Sequence, residues 1–396
     1  MASTKMLAVA TVGAAALLST LSLSPAMAQP GSATVDHWGA YTGSTENTNL
    51  RPVSVSLPGP VAEVGTSNST EYALLNDGTL WAWGTGSDGQ LGDGRTKGSS
   101  FPVQVQFPSG VRIASIPTDV MPFNTGLAVD THGDVWGWGD NKSGSLCLGT
   151  TRRYLSPVEL PFTNVSAVAG AGSHAIYDAN GTVYSCGSGR NGELGDGSMQ
   201  NATRAVQVRG LDGNSVTALV ASYANGGALL RNGQYFDWGL DSQGQLGNGT
   251  IGRSSDTPVQ VPLPGAVTQV AEGGSLPGNG QTLVMLSDGS LHSWGADQFS
   301  QLGNGRQGVF SSPVQFFPPN GVTYATLATS GATSYAVSTG GVVYAWGDNS
   351  EGQVGDGGNQ TAQQPVPVDF GATSISATAN DVAVTVGNQR GSAAKP

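Results

Sequence analysis

Charge is scarce in this chain: Asp, Glu, Lys and Arg make up 11% of its 396 residues, and only 16 of them are basic. The formal net charge is −11. A nucleic-acid surface needs a basic stripe that displaces counterions, so nucleic acid is not an expected partner. Histidine is equally sparse, and His37, His132, His174 and His292 fall in different parts of the chain. No metal-binding histidine pair, nucleophile elbow or phosphate loop occurs, and no cofactor or metal is expected. No segment carries a helical period. Beyond the first 28 residues no apolar run approaches the roughly 20 residues of a membrane span. What the chain does have is 38% apolar residues and 60 glycines. A disordered chain would be charge-rich and apolar-poor; this composition indicates many short strands joined by tight turns.

The first stretch reads as a leader. Lys5 is the only charge before Asp36, and an apolar run from Met6 to Leu23 follows it, then Ser24-Pro25-Ala26-Met27-Ala28. One basic residue, an apolar core and small residues at Ala26 and Ala28 predict a secretory signal peptide, 1–28, cleaved before Gln29. The competing reading is a membrane anchor, but the Ser and Thr within the run and its small-residue exit favour cleavage. The expected mature protein is soluble, extracellular or periplasmic, with no membrane insertion. Loss of Lys5, with no acid removed, takes its net charge from −11 to −12. In such a compartment the only two cysteines, Cys147 and Cys186, are more often bridged than free.

Self-similarity sets the architecture. An aromatic-Gly pair recurs at Trp38-Gly39, Trp83-Gly84, Trp138-Gly139, Trp238-Gly239, Trp294-Gly295 and Trp346-Gly347, with Cys186-Gly187 standing in once. Successive glycines lie 45, 55, 48, 52, 56 and 52 residues apart, a period that belongs to propellers rather than helical solenoids. Each period predicts four strands, as in Val61–Gly65, Tyr72–Leu75, Thr79–Trp83 and Pro102–Val105. Asn76-Asp77-Gly78 supplies the hairpin turn between the second and third, and proline places the fourth at an outer edge. The ends are complementary halves. The chain opens with a third strand at Val35–Trp38 and a fourth at Pro52–Val55, and it closes with a first at Thr373–Ser376 and a second at Asp381–Val386. Six whole blades and two halves predict an all-β, seven-bladed β-propeller over 29–387, its closing blade shared by N- and C-terminal strands. A polar tail, 388–396, follows.

Gly89-Gln90-Leu91-Gly92-Asp93-Gly94 recurs as Gly192–Gly197, Gly244–Gly249 and Gly352–Gly357, with Ser300–Gly305 a variant. Together with Asp77-Gly78-Thr79-Leu80-Trp81-Ala82-Trp83-Gly84, these loops resemble the regulator of chromosome condensation repeat, in an exported bacterial type. Their carboxylates lack the order of a calcium loop, and their glycines suit tight turns. Nuclear members of the family act as exchange factors for a GTPase that an exported acidic chain does not meet. The Gly-Trp-Arg-His-Thr motif of the ultraviolet photoreceptors that share the repeat is absent.

Family repeats often carry His just before the second strand. Here that place is taken by Thr70, Thr125, His174, Asn225, Gln281, Thr333 and Asn380. Two readings stand: each side chain ties down its own loop, or together they form a polar ring at the channel mouth that a partner contacts. Two loops leading into the ring are enlarged, one with Pro117, Asp119, Met121, Pro122 and Phe123, the other with Leu276, Pro277 and Asn279. Tyr223 precedes a third ring position. Long loops on a rigid scaffold carry binding residues, and Phe, Tyr and Met are typical anchors. Cys186 stands in a Trp slot and Cys147 in the turn of the preceding blade, which suggests that a bridge replaces lost packing. The leading expectation is a secreted, monomeric binding module that acts through this face on an extracellular or envelope protein. One alternative is a lyase or hydrolase acting on an extracellular or envelope polymer. The other is a β-lactamase-inhibitor-like protein, although Ser67-Asn68-Ser69, Gly172-Ser173 and Gly331-Ala332 offer few aromatic anchors for it.

Overall fold

The computed structural model describes residues 34–40, 48–117, 121–211, 215–276, 278–377 and 381–386. The expected leader, the polar tail, Asp119, Pro277 and Asn380 lie outside the described residues. Within these segments the regular structure consists of 28 strands in seven four-stranded antiparallel sheets. Six blades are continuous in sequence: 61–104, 113–159, 165–207, 216–260, 267–316 and 324–370. The seventh is composite, as its complementary halves predicted. Thr34–Ala40 pairs with Thr48–Ser56 on one side and with Asp381–Val386 on the other, and Ala372–Ala377 completes the sheet. The protein is an all-β, seven-bladed propeller.

The first strand of each blade lies innermost. Second strands run buried over their whole length in blades one to four, as at Thr70–Leu75 and Thr125–Asp130. Fourth strands form the exposed edge, and Ser99–Gln104 carries Pro102 there without loss of a ladder bond. The recurrent turns need left-handed backbone, and Gly89, Gly92 and Gly94 have φ of 86°, 64° and 81°.

The conserved spacing of tryptophan and loop motif has one physical cause, a latch between neighbouring blades. Trp38, Trp138, Trp238, Trp294 and Trp346 are fully buried. Their indole N–H groups donate to the backbone oxygens of Gln353, Gln90, Glu193, Gln245 and Gln301, each in the preceding blade's loop, at 2.7–2.9 Å. The glycine two residues beyond each acceptor must lack a side chain, because a Cβ on Gly92 would stand 3.0 Å from the Trp138 indole. The last glycine of the motif reaches across the same seam: Gly94 N–H donates to Leu155 O and Gly357 N–H to Leu50 O.

Blade three departs from this pattern at both partners. Cys186 takes the tryptophan position and Cys147 takes that of the facing glycine, and the two form a disulfide. Cys147 keeps the glycine's left-handed backbone, φ 57°. The Ser145 carbonyl lies 3.1 Å from Cys186 Sγ, where an indole N–H sits in other blades. The expected bridge is present, and it joins blades two and three in place of a Trp-on-Gly latch.

Candidate functional site

The segments between first and second strands meet around the central axis. Six of the expected ring positions are described, and all are 2% exposed or less. Thr70, Thr125 and Thr333 donate through Oγ1 to the backbone oxygens of Thr85, Asp140 and Asp348 in their own blades. Asn225 does the same to Leu240 O at 2.7 Å. His174 Nε2 lies 3.1 Å from Asn225 O in the next blade, and Gln281 Nε2 donates to Ser330 O. Burial pushes the His174 pKa below the ordinary histidine range, so its imidazole is the neutral form at pH 7. These side chains tie the inner wall together and do not present a polar surface to solvent. Their hydroxyl and amide N–H donors go to backbone carbonyls. In the closing blade Asp381 stands opposite Gly39, as the six described ring positions stand opposite their own Trp-Gly or Cys-Gly glycine.

Met121 is fully buried too. A Cβ on Gly65 would meet its Cε at 2.9 Å, so it packs against blade one as part of the core. What remains open of the predicted face is Phe123, Tyr223 and Leu276. Phe123 N–H donates to Gly172 O of blade three, and Tyr223 N–H donates to Gly274 O of blade five. The Phe123 and Tyr223 rings lie 6.0 Å apart between centroids, tilted by 53°. Leu276 is 62% exposed, on a loop that Asn279 Oδ1 holds by accepting from the N–H groups of Ser275 and Leu276.

Beside this aromatic pair a small pocket opens between blades two to six, lined by Phe123, Ser222, Glu272, Ser275 and Ser330 among small residues. Glu272 is the lining carboxylate. Its Oε1 accepts from Ser222 Oγ at 2.8 Å, and Tyr235 Oη lies 3.5 Å from Oε2. Asp237, fully buried, is held well above the usual carboxylate range, first by burial and then by the charge of Glu272. Sequence reasoning missed Glu272. A signal was available, since strand register aligns it with Thr66, Gly170, Ala221 and Thr329 of other blades, none of them charged.

The model of the regulator of chromosome condensation (RCC1) repeat matches residues 77–117, 132–177, 232–276, 288–337 and 340–389, more than half of the chain. The chain belongs to the RCC1 repeat family. Blade three's third strand, where Cys186 replaces tryptophan, falls in the gap between matched segments. The mitochondrial RCC1 domain-containing protein RUG3 of Arabidopsis thaliana is 30% identical, over 75% of this chain and 68% of its own length. The Ultraviolet-B receptor UVR8 of the same plant is 28% identical over 70% of this chain and 62% of its own. The human E3 ubiquitin-protein ligase HERC2 is 28% identical over 85% of this chain, which spans only 7% of that ligase. Among solved structures, human WBSCR16 superposes with a TM-score of 0.78 at 18% identity, covering 90% of this chain and 99% of that one. Prp20p of Saccharomyces cerevisiae, described with its binding to Gsp1p and histones, superposes at 0.77 and 19% identity, covering 91% and 93%. The structural likeness is one of fold.

Proposed function

We propose that this RCC1-repeat propeller is an exported binding module that engages another protein through the face bearing Phe123, Tyr223 and Leu276. One observation carries the reading. Loops from blades two and four reach over an intervening blade to set two aromatic rings together, half-buried, at the axis. A rigid aromatic pair needs no ordering on association, and such residues dominate binding energy in protein interfaces. The family context agrees, because Prp20p binds Gsp1p and histones and yeast RCC1 has been crystallised with Kap60. Export follows from the leader 1–28, and it directs the search toward extracellular or envelope partners.

The test is retention from the producing organism's extracellular and envelope fractions on residues 29–396, beside a Phe123→Ala/Tyr223→Ala/Leu276→Ala bait. His174 is left intact because its burial would turn a binding test into a folding test. A protein held by the first bait and lost by the second supports the reading. Equal retention, or none, removes it.

A further inference from the structure

We propose that the axial pocket is a cation site that takes the ammonium group of a lysine side chain presented by the partner. The lysine source rests on the binding-module reading above, whereas the cation chemistry stands on the pocket itself.

Glu272 places a carboxylate on the lining, with the Ser222 hydroxyl donating to it. The independent observation is a set of buried oxygens beside it. Ser330 lines the pocket and is 1% exposed, and its Oγ has no hydrogen-bond partner. Oγ1 of the adjacent Thr329 is also unsatisfied, and so is Oε1 of Gln281, whose amide nitrogen holds the Ser330 carbonyl. Native proteins leave few such groups without a partner. An ammonium brings three donors and no acceptor, which is the complement that this set lacks.

Other cations fit less well. Among the described residues no group of three or more His, Cys, Asp or Glu side chains could hold a metal ion. A guanidinium seeks both oxygens of a carboxylate in one plane, and here Oε1 already receives Ser222. Phe123 adds an aromatic wall, which attracts a desolvated cation. Ala171 and Ala221 line the same pocket and suit a methylene stem.

The experiment is an amide-resolved NMR titration of the 15N-labelled protein with three probes: Nα-acetyl-lysine methylamide, the neutral Nα-acetyl-norleucine methylamide, and n-butylammonium. Both amines should give saturable shifts at Gly273, Gly274 and Ser330, and the norleucine amide none. Glu272→Gln should weaken lysine-amide binding about tenfold or more, as loss of a charge-assisted contact requires. Ser330→Ala should weaken it as well, with the remaining spectrum of both variants unchanged. Equal binding of the norleucine amide, or undiminished binding to Glu272→Gln, overturns the cation site. Binding of butylammonium without the lysine amide overturns the lysine source. A partner retained through Phe123 and Tyr223 but indifferent to Glu272→Gln refutes the pocket and leaves the face. Lysine-amide binding with no retained partner does the reverse.

Discussion

If the disulfide stands in for a tryptophan latch, replacing it by that latch should rescue a protein that has lost it. Cys147→Ser/Cys186→Ser opens a loop whose ends lie 39 residues apart, which on loop entropy costs roughly 3–4 kcal/mol. For large domains each kcal/mol moves Tm by about 2–4 °C, so a fall of roughly 6–16 °C is expected. Cys147→Gly/Cys186→Trp should recover the larger part. It buries about 200 Å² of indole, worth up to about 5 kcal/mol. It also supplies a donor for the Ser145 carbonyl and returns glycine to a backbone at φ 57°. Cys186→Trp alone should be worse than the pair, since the Cβ of Cys147 occupies a place where, in blade one, an added Cβ would stand 3.0 Å from indole. The parent, Cys147→Gly, Cys186→Trp and Cys147→Gly/Cys186→Trp, melted by near-ultraviolet circular dichroism without reductant, form a double-mutant cycle whose coupling should exceed about 1 kcal/mol. Additive effects, or a Cys186→Trp variant as stable as the pair, would refute the equivalence of bridge and latch.

Deletion of residues 371–396 removes both C-terminal strands of the composite blade and leaves Thr34–Ala40 with an open edge; the melting transition should broaden and fall, and an unchanged curve refutes closure by these strands. The Asp237 pKa is raised, so the folded protein keeps a proton that the unfolded chain releases above about pH 4. Its contribution therefore becomes less favourable as pH rises, and Asp237→Asn should be more stable than the parent at pH 8, with a flatter Tm-against-pH profile; a less stable variant at pH 8 contradicts the assignment. Gly126→Ala places a Cβ 2.1 Å from the Trp138 ring and should cost about 1–3 kcal/mol by overpacking, read as a lower urea midpoint. Gly110→Ala, where an added Cβ meets nothing within 4 Å but φ is 90°, separates that clash from the backbone cost of losing a glycine.

Blade number, strand order and the composite seventh blade were legible in the sequence because a propeller repeats its local instructions. Each Trp-Gly pair, each Asn/Asp-Gly turn and each terminal half-blade encodes a neighbour contact, and those contacts recur at one period. The cysteine pairing was legible because Cys186 stands in a recurrent tryptophan slot and Cys147 in the turn of the preceding blade; that Cys147 takes the place of the facing glycine came from the structure. The outward part of the candidate face was only partly legible. Thr70, Thr125, His174, Asn225, Gln281 and Thr333 are polar in sequence, yet each is spent on a backbone carbonyl, just after the third strand of its own blade for Thr70, Thr125, Asn225 and Thr333 and in the next blade for His174 and Gln281. Met121 reads as an anchor but fills the hollow beside Gly65. The approach of Phe123 in blade two to Tyr223 in blade four, and the gathering of residues from blades two to six around one pocket, join residues beyond neighbouring blades. Period and propensity describe a blade and its neighbour, whereas these distances exist only once seven blades have closed into a ring.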